Sequence, residues 1–309
     1  MSTSLKSSTR GWRYSMPSTQ NKCIRNIEFE GKLFSLAFHS DNDHIGRQVA
    51  QSGGFYEAEL LSALRPLLRP GDVVVDVGAN VGNHSIFFAG VLDCKVFAFE
   101  GLERTCDLLR TNIRLNGLTD RVFARQYALG AVSGTVEVES IDESNLGATR
   151  FKPGPLGPIN LRPLDSMPEL AGVSVSLLKV DVEGMELDVI RGSRNVIERD
   201  RPIIVCECAE PEEFAGVEFL LGQLGYSATE CFNATPTYVF LPDQWSGRGT
   251  FTRTSYFERI QARTSMQMRL SLSQLNRIRN MVGILSQRIE ALELVVSDTI
   301  QEDSEGSKD

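Results

Sequence analysis

Short apolar runs alternate with segments of helical periodicity along most of the chain. Strands are predicted at Val73–Val77, Lys95–Phe99, Val122–Leu129, Val175–Val182 and Pro202–Cys208, with an edge strand at Thr237–Leu241. Helices are predicted at Phe55–Leu68, from Ile86, at Arg104–Leu115, from about Gly184 towards Gly192, and at Glu212–Leu224. Uniformly apolar strands indicate burial on both faces. Their alternation with helices predicts an α/β fold with a doubly wound, mostly parallel sheet.

Two further regions flank or interrupt this pattern. The stretches IRNIEFEG and KLFSLAFHS, with Gly31 at the turn, predict a hairpin, and Asp41–Ser52 has a partly helical pattern. Residues 140–163 are rich in Gly, Pro and Asn and are predicted to be a long loop. Such a loop inside a compact domain is usually functional. Ser144, Asn145 and Gly147 within it are candidate ligand contacts or part of a lid.

The last part of the chain has a different periodicity. From about Met268 the apolar residues are three and four apart, at Leu275, Ile278, Val282, Leu285, Ile289, Leu292 and Val296. This heptad pattern predicts a coiled coil that makes the protein a homo-oligomer or docks it on a partner, although one amphipathic helix packed on its own domain is an alternative. The resulting division is a flexible arm (1–21), an N-terminal cap (22–70), a core (71–245), a linker (246–267), the coiled coil (268–300) and an acidic tail (301–309).

Charge and composition exclude several classes of protein. A net charge of -8 argues against a nucleic-acid backbone as the main partner. No apolar run approaches the ~18 residues of a membrane helix, and the polar first residues lack the apolar region of a secretory signal. The six cysteines are scattered without a CxxC pair. Cys206 and Cys208 are interpreted as buried thiols in a reducing compartment, and the expected location is the cytoplasm.

The segment VVVDVGANVGNHS, from Val73 to Ser85, carries the first chemical signal. It predicts a buried strand that turns sharply into a helix, where free backbone N–H groups can meet an anion. Glu100 ends the next strand about 24 residues after Asp76, which is the layout in which an acid binds ribose hydroxyls. An ordinary strand–turn–helix is the alternative. The glycines at 78 and 82 do not form the G-x-G-x-x-G of a nicotinamide site, so an NAD-dependent oxidoreductase is disfavoured.

A second group of polar residues lies at the ends of later strands. Lys179, Asp181 and Glu183 alternate along an apolar strand, and Glu207 ends the next one. Burying such groups is costly unless they pair or serve a ligand. They therefore form either a structural Lys179–Asp181 ion pair or a cluster that orients a ligand or catalyses. Asp181 with Glu207 offers oxygen ligands to Mg²⁺, but the metal is left unassigned.

Several segments together resemble the FkbM family of S-adenosylmethionine-dependent methyltransferases. They are GDVVVDVGANVGNHS, FAFE, LRTNIRLNGL, YALGAVSGTV, PLDSM and LLKVDVEGMELDVIRG, within roughly Tyr56 to Tyr238. The most distinctive is K-V-D-V-E-G-x-E, from Lys179 to Glu186. The resemblance implies a Rossmann-like methyltransferase sheet, S-adenosylmethionine as cofactor and methyl transfer to a hydroxyl of a glycan or related small molecule. Gly101-Leu102 departs from the family, which usually carries proline there.

The resemblance also implies roles for individual residues. Gly78, Ala79, Asn80 and Gly82 would cradle the methionine part of the cofactor, with Asp76 near its ammonium group. Glu100 would bind the ribose, and Tyr127 and Ala128 would border the adenine. Asp181 is the first candidate for the base that deprotonates the acceptor hydroxyl, Glu183 the second, and Lys179 would orient or tune it. His84 could face the acceptor, although packing within its helix is the simpler interpretation. A catalytically weak domain that acts as a scaffold through the coiled coil is a further hypothesis.

Overall fold

The computed structural model describes residues 23–140, 146, 149–155 and 157–245. The segments interpreted as the flexible arm (1–21), the linker (246–267), the coiled coil (268–300) and the acidic tail (301–309) lie outside these residues. So do Ser144, Asn145 and Gly147. The coiled coil and the homo-oligomer that it would form therefore stay predictions.

Strands and helices alternate through most of the described chain. The strands are β1 (Cys23–Phe29), β2 (Lys32–Phe38), β3 (Val73–Val77), β4 (Lys95–Phe99), β5 (Val122–Arg125), β6 (Ala128–Leu129), β7 (Gly134–Ser140), β8 (Arg150–Pro153), β9 (Ile159–Arg162), β10 (Leu177–Val180), β11 (Ile203–Glu207), β12 (Tyr226–Phe232) and β13 (Thr237–Pro242). The helices are α1 (His44–Ser52), α2 (Ala58–Leu64), α3 (Asn83–Gly90), α4 (Glu103–Leu115), α5 (Glu186–Arg191), α6 (Arg194–Asp200) and α7 (Pro211–Gln223). None of these helices is both long and apolar enough to cross a bilayer.

Seven strands form the main sheet, in the order β12-β13-β11-β10-β3-β4-β5. Strands β5, β4, β3, β10 and β11 are parallel to their neighbours, whereas β13 runs antiparallel between β11 and β12. This arrangement confirms the predicted α/β fold with a mostly parallel sheet. The chain proceeds from β3 outward to β5 and then returns to the other side of β3 with β10. The strand order therefore reverses between β3 and β10, and ligands of such sheets bind at the carboxyl ends of these strands.

The N-terminal hairpin shares its core with the main sheet. Strands β1 and β2 pair in register around the turn Glu30–Gly31, as the sequence predicts. Ile27 and Phe34 belong to the same buried apolar cluster as Val74 of β3 and Ile86 of α3. Burial of this continuous apolar surface packs the residues that precede β3 against β3 and α3.

A second, four-stranded sheet corrects two predictions. Residues 140–163, predicted to be a loop, contain β8 and β9, which join β6 and β7 in the order β6-β9-β7-β8. The predicted single strand Val122–Leu129 is divided, because Ala128–Leu129 pairs with Leu161–Arg162 of β9 instead of continuing along β4. The apolar residues of this sheet form their own small cluster with Met185.

Two more elements differ from the sequence-based prediction. Thr237–Leu241 does not form the edge of the sheet, because β12, which the pattern did not predict, lies outside it. The helix predicted from Gly184 towards Gly192 is shorter, and a separate helix, α6, follows it at once. Both differences arise where tertiary pairing and packing outweigh weak local patterns.

Candidate active site

We name the turn between β3 and α3, Gly78 to Gly82, the cofactor loop, after the cofactor contact that the sequence resemblance predicts for it. Gly78, Asn80 and Gly82 have φ values of +74°, +51° and +93°, a left-handed region that glycine and asparagine tolerate best. The backbone N–H groups of Gly78 and Ala79 both donate to the carbonyl of Phe99, at 2.9 and 3.0 Å. The loop is thereby held against the end of β4, with Gly82 directly before the first turn of α3.

Glu100 at the end of β4 holds the other side of this loop. One of its carboxylate oxygens accepts a hydrogen bond from the Asn80 N–H at 3.0 Å, and the other accepts one from Leu102 at 2.8 Å. Burial raises the pKa of Glu100 to about 7, against the lowering effect of these two backbone hydrogen bonds. Glu100 lines a cavity, and a carboxylate that accepts two hydrogen bonds keeps acceptor capacity for further donors.

The cavity has a volume of about 390 Å³ and lies at the carboxyl ends of the central strands. Its wall includes Tyr56, Glu57, Gly78, Asn80, Glu100, Asp181, Glu183 and Glu207. Tyr127 and Ala128, predicted to border an adenine, also line it. The structure thus brings together the ends of β3, β4, β10 and β11, as the parallel topology predicts.

Four of the predicted site residues lie behind the cavity wall: Asp76, Ala79, Gly82 and Lys179. Asp76 is fully enclosed and accepts a 2.7 Å hydrogen bond from the hydroxyl of Ser85. The Lys179 ammonium lies 3.3 Å from Asp76 and 3.0 Å from Asp181. Asp76 is therefore placed to orient Lys179 and the start of α3, rather than to touch a ligand in the cavity.

Three carboxylates form an acidic cluster at the β10–β11 end of the cavity. Asp181, Glu183 and Glu207 each bring one oxygen within 4.8 Å of the others. Burial alone would raise the pKa of Asp181, but the charge of Lys179 and the hydrogen bond shared with Glu207 outweigh it and lower that pKa. Burial and the charge of Asp181 raise the pKa of Glu207, which therefore retains the shared proton. Carboxylates at this spacing are also the donors that a divalent cation takes.

Glu183 differs from its two neighbours in the cluster. Burial and then the charge of Asp181 raise its pKa to about 7. It has a left-handed backbone (φ +58°), and the turn around it is fixed by Glu186, whose carboxylate accepts hydrogen bonds from Val182 and Gly184 at 3.0–3.2 Å. A carboxylate with this pKa exchanges a proton readily near neutral pH.

Tyr56 and Glu57 line the cavity but were not predicted from the sequence. The side-chain amide of Asn83 accepts from the N–H of Tyr56 and donates to its carbonyl, both at 3.0 Å. Next to it, His84 Nε2 lies 3.1 Å from the Glu57 carboxylate and does not line the cavity. No motif marks Tyr56 or Glu57, because their position depends on two side chains of α3 that follow almost thirty residues later.

Comparison with known proteins identifies the family. Residues 76–228 match the methyltransferase FkbM domain. The chain carries a domain of the FkbM methyltransferase family. This FkbM domain includes the cofactor loop, Glu100 and the acidic cluster, whereas Tyr56 and Glu57 precede it.

Two curated relatives of this FkbM chain are methyltransferases. Hexuronic acid methyltransferase AglP of Haloferax volcanii is 30% identical in an alignment of 156 residues, and the match covers 48% of this chain and 61% of the relative. Methyltransferase sdnD of Sordaria araneosa is 27% identical over 215 residues, covering 56% of this chain and 78% of the relative. The match thus spans less than two thirds of the length of AglP. Among solved structures, methyltransferase FkbM from Methylobacillus flagellatus is 18% identical, with a TM-score of 0.42, and the match covers 56% of this chain and 44% of that one.

Proposed function

We propose that this protein transfers the methyl group of S-adenosylmethionine to a hydroxyl group of a sugar or related small molecule. The observation that carries the proposal is the cavity, which joins the cofactor loop and Glu100 at one end to the acidic cluster at the other. The FkbM domain contains both ends. A cofactor held by the loop would share this cavity with carboxylates that can take up a proton.

The proposed cofactor position assigns a role to each of the predicted cofactor-binding residues. Gly78 and Asn80 would contact the methionine part, Glu100 the ribose hydroxyls, and Tyr127 and Ala128 the adenine. The enclosed residues Asp76, Ala79 and Gly82 would act from behind the wall by shaping the loop. The acidic cavity also favours the positively charged sulfonium of the cofactor.

Glu183 is the proposed base. In the reaction the acceptor oxygen bonds the methyl carbon, the carbon–sulfur bond breaks to leave S-adenosylhomocysteine, and the hydroxyl proton moves to a base. The lowered pKa of Asp181 makes it a weak base, whereas the pKa of Glu183, about 7, suits proton uptake at neutral pH. Lys179 would keep Asp181 ionised, and Asp181 would in turn raise the pKa of Glu183.

The charge of the cavity bears on the acceptor. Its described wall carries five carboxyl groups, those of Glu57, Glu100, Asp181, Glu183 and Glu207, of which Glu207 retains its proton, and no lysine or arginine. Like charges brought together in a cavity cost several kcal/mol, of the order that decides specificity. A neutral or amine-bearing sugar therefore fits better than the hexuronic acid named for AglP. Screening neutral, amino and hexuronic sugars with labelled S-adenosylmethionine, with EDTA or with Mg²⁺, tests both the acceptor class and the need for a metal.

Titration calorimetry with S-adenosylhomocysteine tests the cofactor. We expect binding by the native protein, no binding of NAD⁺, and a roughly 10- to 100-fold weaker interaction in Glu100→Ala, because the ribose hydrogen bonds and the contact with Asn80 of the loop are lost. Glu103→Ala, which removes an exposed carboxylate three residues further on, is the control and should bind normally. Binding of NAD⁺ instead would indicate an oxidoreductase, and binding of neither ligand would favour the scaffold hypothesis.

A further inference from the structure

Two asparagines in the segment LRTNIRLNGL make side-chain hydrogen bonds that the proposed reaction does not explain. Asn112 and Asn116 lie four residues apart at the end of α4 and face the same side. Each makes three side-chain hydrogen bonds to backbone groups. Asparagine is a poor helix former, so a fully buried one inside the helix, Asn112, calls for a specific reason.

Both asparagines bind strand β2 in the way that a neighbouring strand would. The amide of Asn112 accepts from Ala37 N–H at 2.7 Å and donates to Ala37 O at 3.0 Å. The amide of Asn116 does the same with Ser35, at 2.9 and 2.8 Å. Ala37 and Ser35 are alternate residues of β2. The two asparagine side chains of α4 therefore form hydrogen bonds with backbone groups on the edge of β2 that does not pair with β1.

The third hydrogen bond distinguishes the two residues. Asn116 donates to the carbonyl of Asn112, within the same helix, at 2.8 Å. Asn112 instead donates to the carbonyl of Val81 at 2.8 Å, and Val81 lies in the middle of the cofactor loop. The Asn112 side chain is fully enclosed, so this contact is not shared with water. It links the loop to both α4 and the hairpin.

We infer that Asn112 is a positioning residue for the cofactor, holding the cofactor loop in its binding conformation through the Val81 carbonyl. The loop needs such a tie because Asn80 and Gly82, on either side of Val81, both have left-handed backbones. The same loop offers the Asn80 N–H to Glu100, so movement at Val81 would displace the proposed ribose contact as well. The inference rests on the proposed function, since it takes the loop to be the cofactor site.

Asn112→Ala and Asn116→Ala form a matched pair, because each removes three side-chain hydrogen bonds, two of them to β2. We expect the dissociation constant for S-adenosylhomocysteine to rise about tenfold or more in Asn112→Ala, the equivalent of one lost buried hydrogen bond, and to stay within about twofold in Asn116→Ala. Melting curves measure the loss of stability in both. Hydrogen exchange in the unliganded protein should become faster at Asn80 and Gly82 only in Asn112→Ala.

Should Asn112→Ala melt below the temperature of the titration, Asn112→Asp takes its place, with Asn116→Asp as its control. Aspartate keeps the side-chain volume and the acceptor for Ala37 but, when ionised, cannot donate to Val81. Equal effects of the two asparagines on binding would overturn the inference and make Asn112 a structural residue only. If the native protein fails to bind S-adenosylhomocysteine, the proposed function fails first and the inference with it.

Discussion

Replacing Gly78 with alanine is expected to abolish binding of S-adenosylhomocysteine. A Cβ atom at this position would overlap the carbonyl oxygen of Asp181, and the φ of +74° is itself strained for alanine. Neither β3 nor β10 can yield easily, because the two strands are bonded along their length and the Asp181 N–H donates to Val77 at 3.1 Å. The loop must therefore move away from the end of β10, and the wall of the cavity moves with it.

Gly71→Ala separates the clash from the backbone strain. Gly71 has a similarly left-handed φ of +86°, but an added Cβ meets no atom within 4 Å. Gly71→Ala should lose only the roughly 1 kcal/mol of an alanine in this conformation, measured by thermal unfolding, and Gly78→Ala should lose more because of the added clash. Only Gly78→Ala should lose ligand affinity, by about 100-fold or more. Normal calorimetric binding by Gly78→Ala would mean that the cofactor does not lie against this turn.

The main sheet could be predicted from the sequence because its central strands are buried on both faces. Runs such as Val73–Val77 and Ile203–Glu207 are apolar almost throughout, and only a strand covered on both faces needs this. Once these strands are parallel, their carboxyl ends must meet along one side of the sheet. The grouping of Glu100, Asp181 and Glu207 around one cavity follows from topology alone.

The second sheet could not be predicted in this way. Strands β8 and β9 have four residues each and lie among glycines and prolines, and they are stabilised by pairing with β7 and β6 rather than by their own pattern. The edge strand β12 carries partly exposed polar residues on both faces, so it has no period that a sequence pattern could detect. Antiparallel pairing with β13 defines β12 instead.

The chemical difference between Asp181 and Glu183 was also beyond the sequence. Both residues follow the same strand and are two positions apart, yet only Asp181 contacts the Lys179 ammonium. This contact and the hydrogen bond with Glu207 lower the pKa of Asp181, whereas burial and the charge of Asp181 raise the pKa of Glu183. Tyr56 and Glu57, which line the cavity and precede the FkbM domain, depend similarly on side-chain contacts made across the fold.

Glu183→Gln should reduce methyl transfer by about 10²- to 10⁴-fold, the usual contribution of a positioned base. Affinity for S-adenosylhomocysteine should not change, because the cofactor loop and Glu100 are intact. In the native protein, the rate should rise with pH through about 7, as Glu183 loses its proton, and then level off. The variant should lack this rise. Transfer to the acceptor found in the sugar screen, measured from pH 5.5 to 9, gives both results.

A measurement of stability distinguishes loss of the base from loss of the fold. The pKa of Glu183 is higher in the folded protein than in the unfolded chain, so the folded state loses stability as pH rises from about 4 towards 7, and the whole penalty is present above 7. Glutamine carries no charge and avoids this penalty. At pH 8 the variant should therefore melt at the same temperature as the native protein or higher, although it is inactive. Glu212→Gln, which removes an exposed carboxylate of α7, should keep native activity. Full activity in Glu183→Gln, with the pH profile unchanged, would assign the base to another member of the acidic cluster.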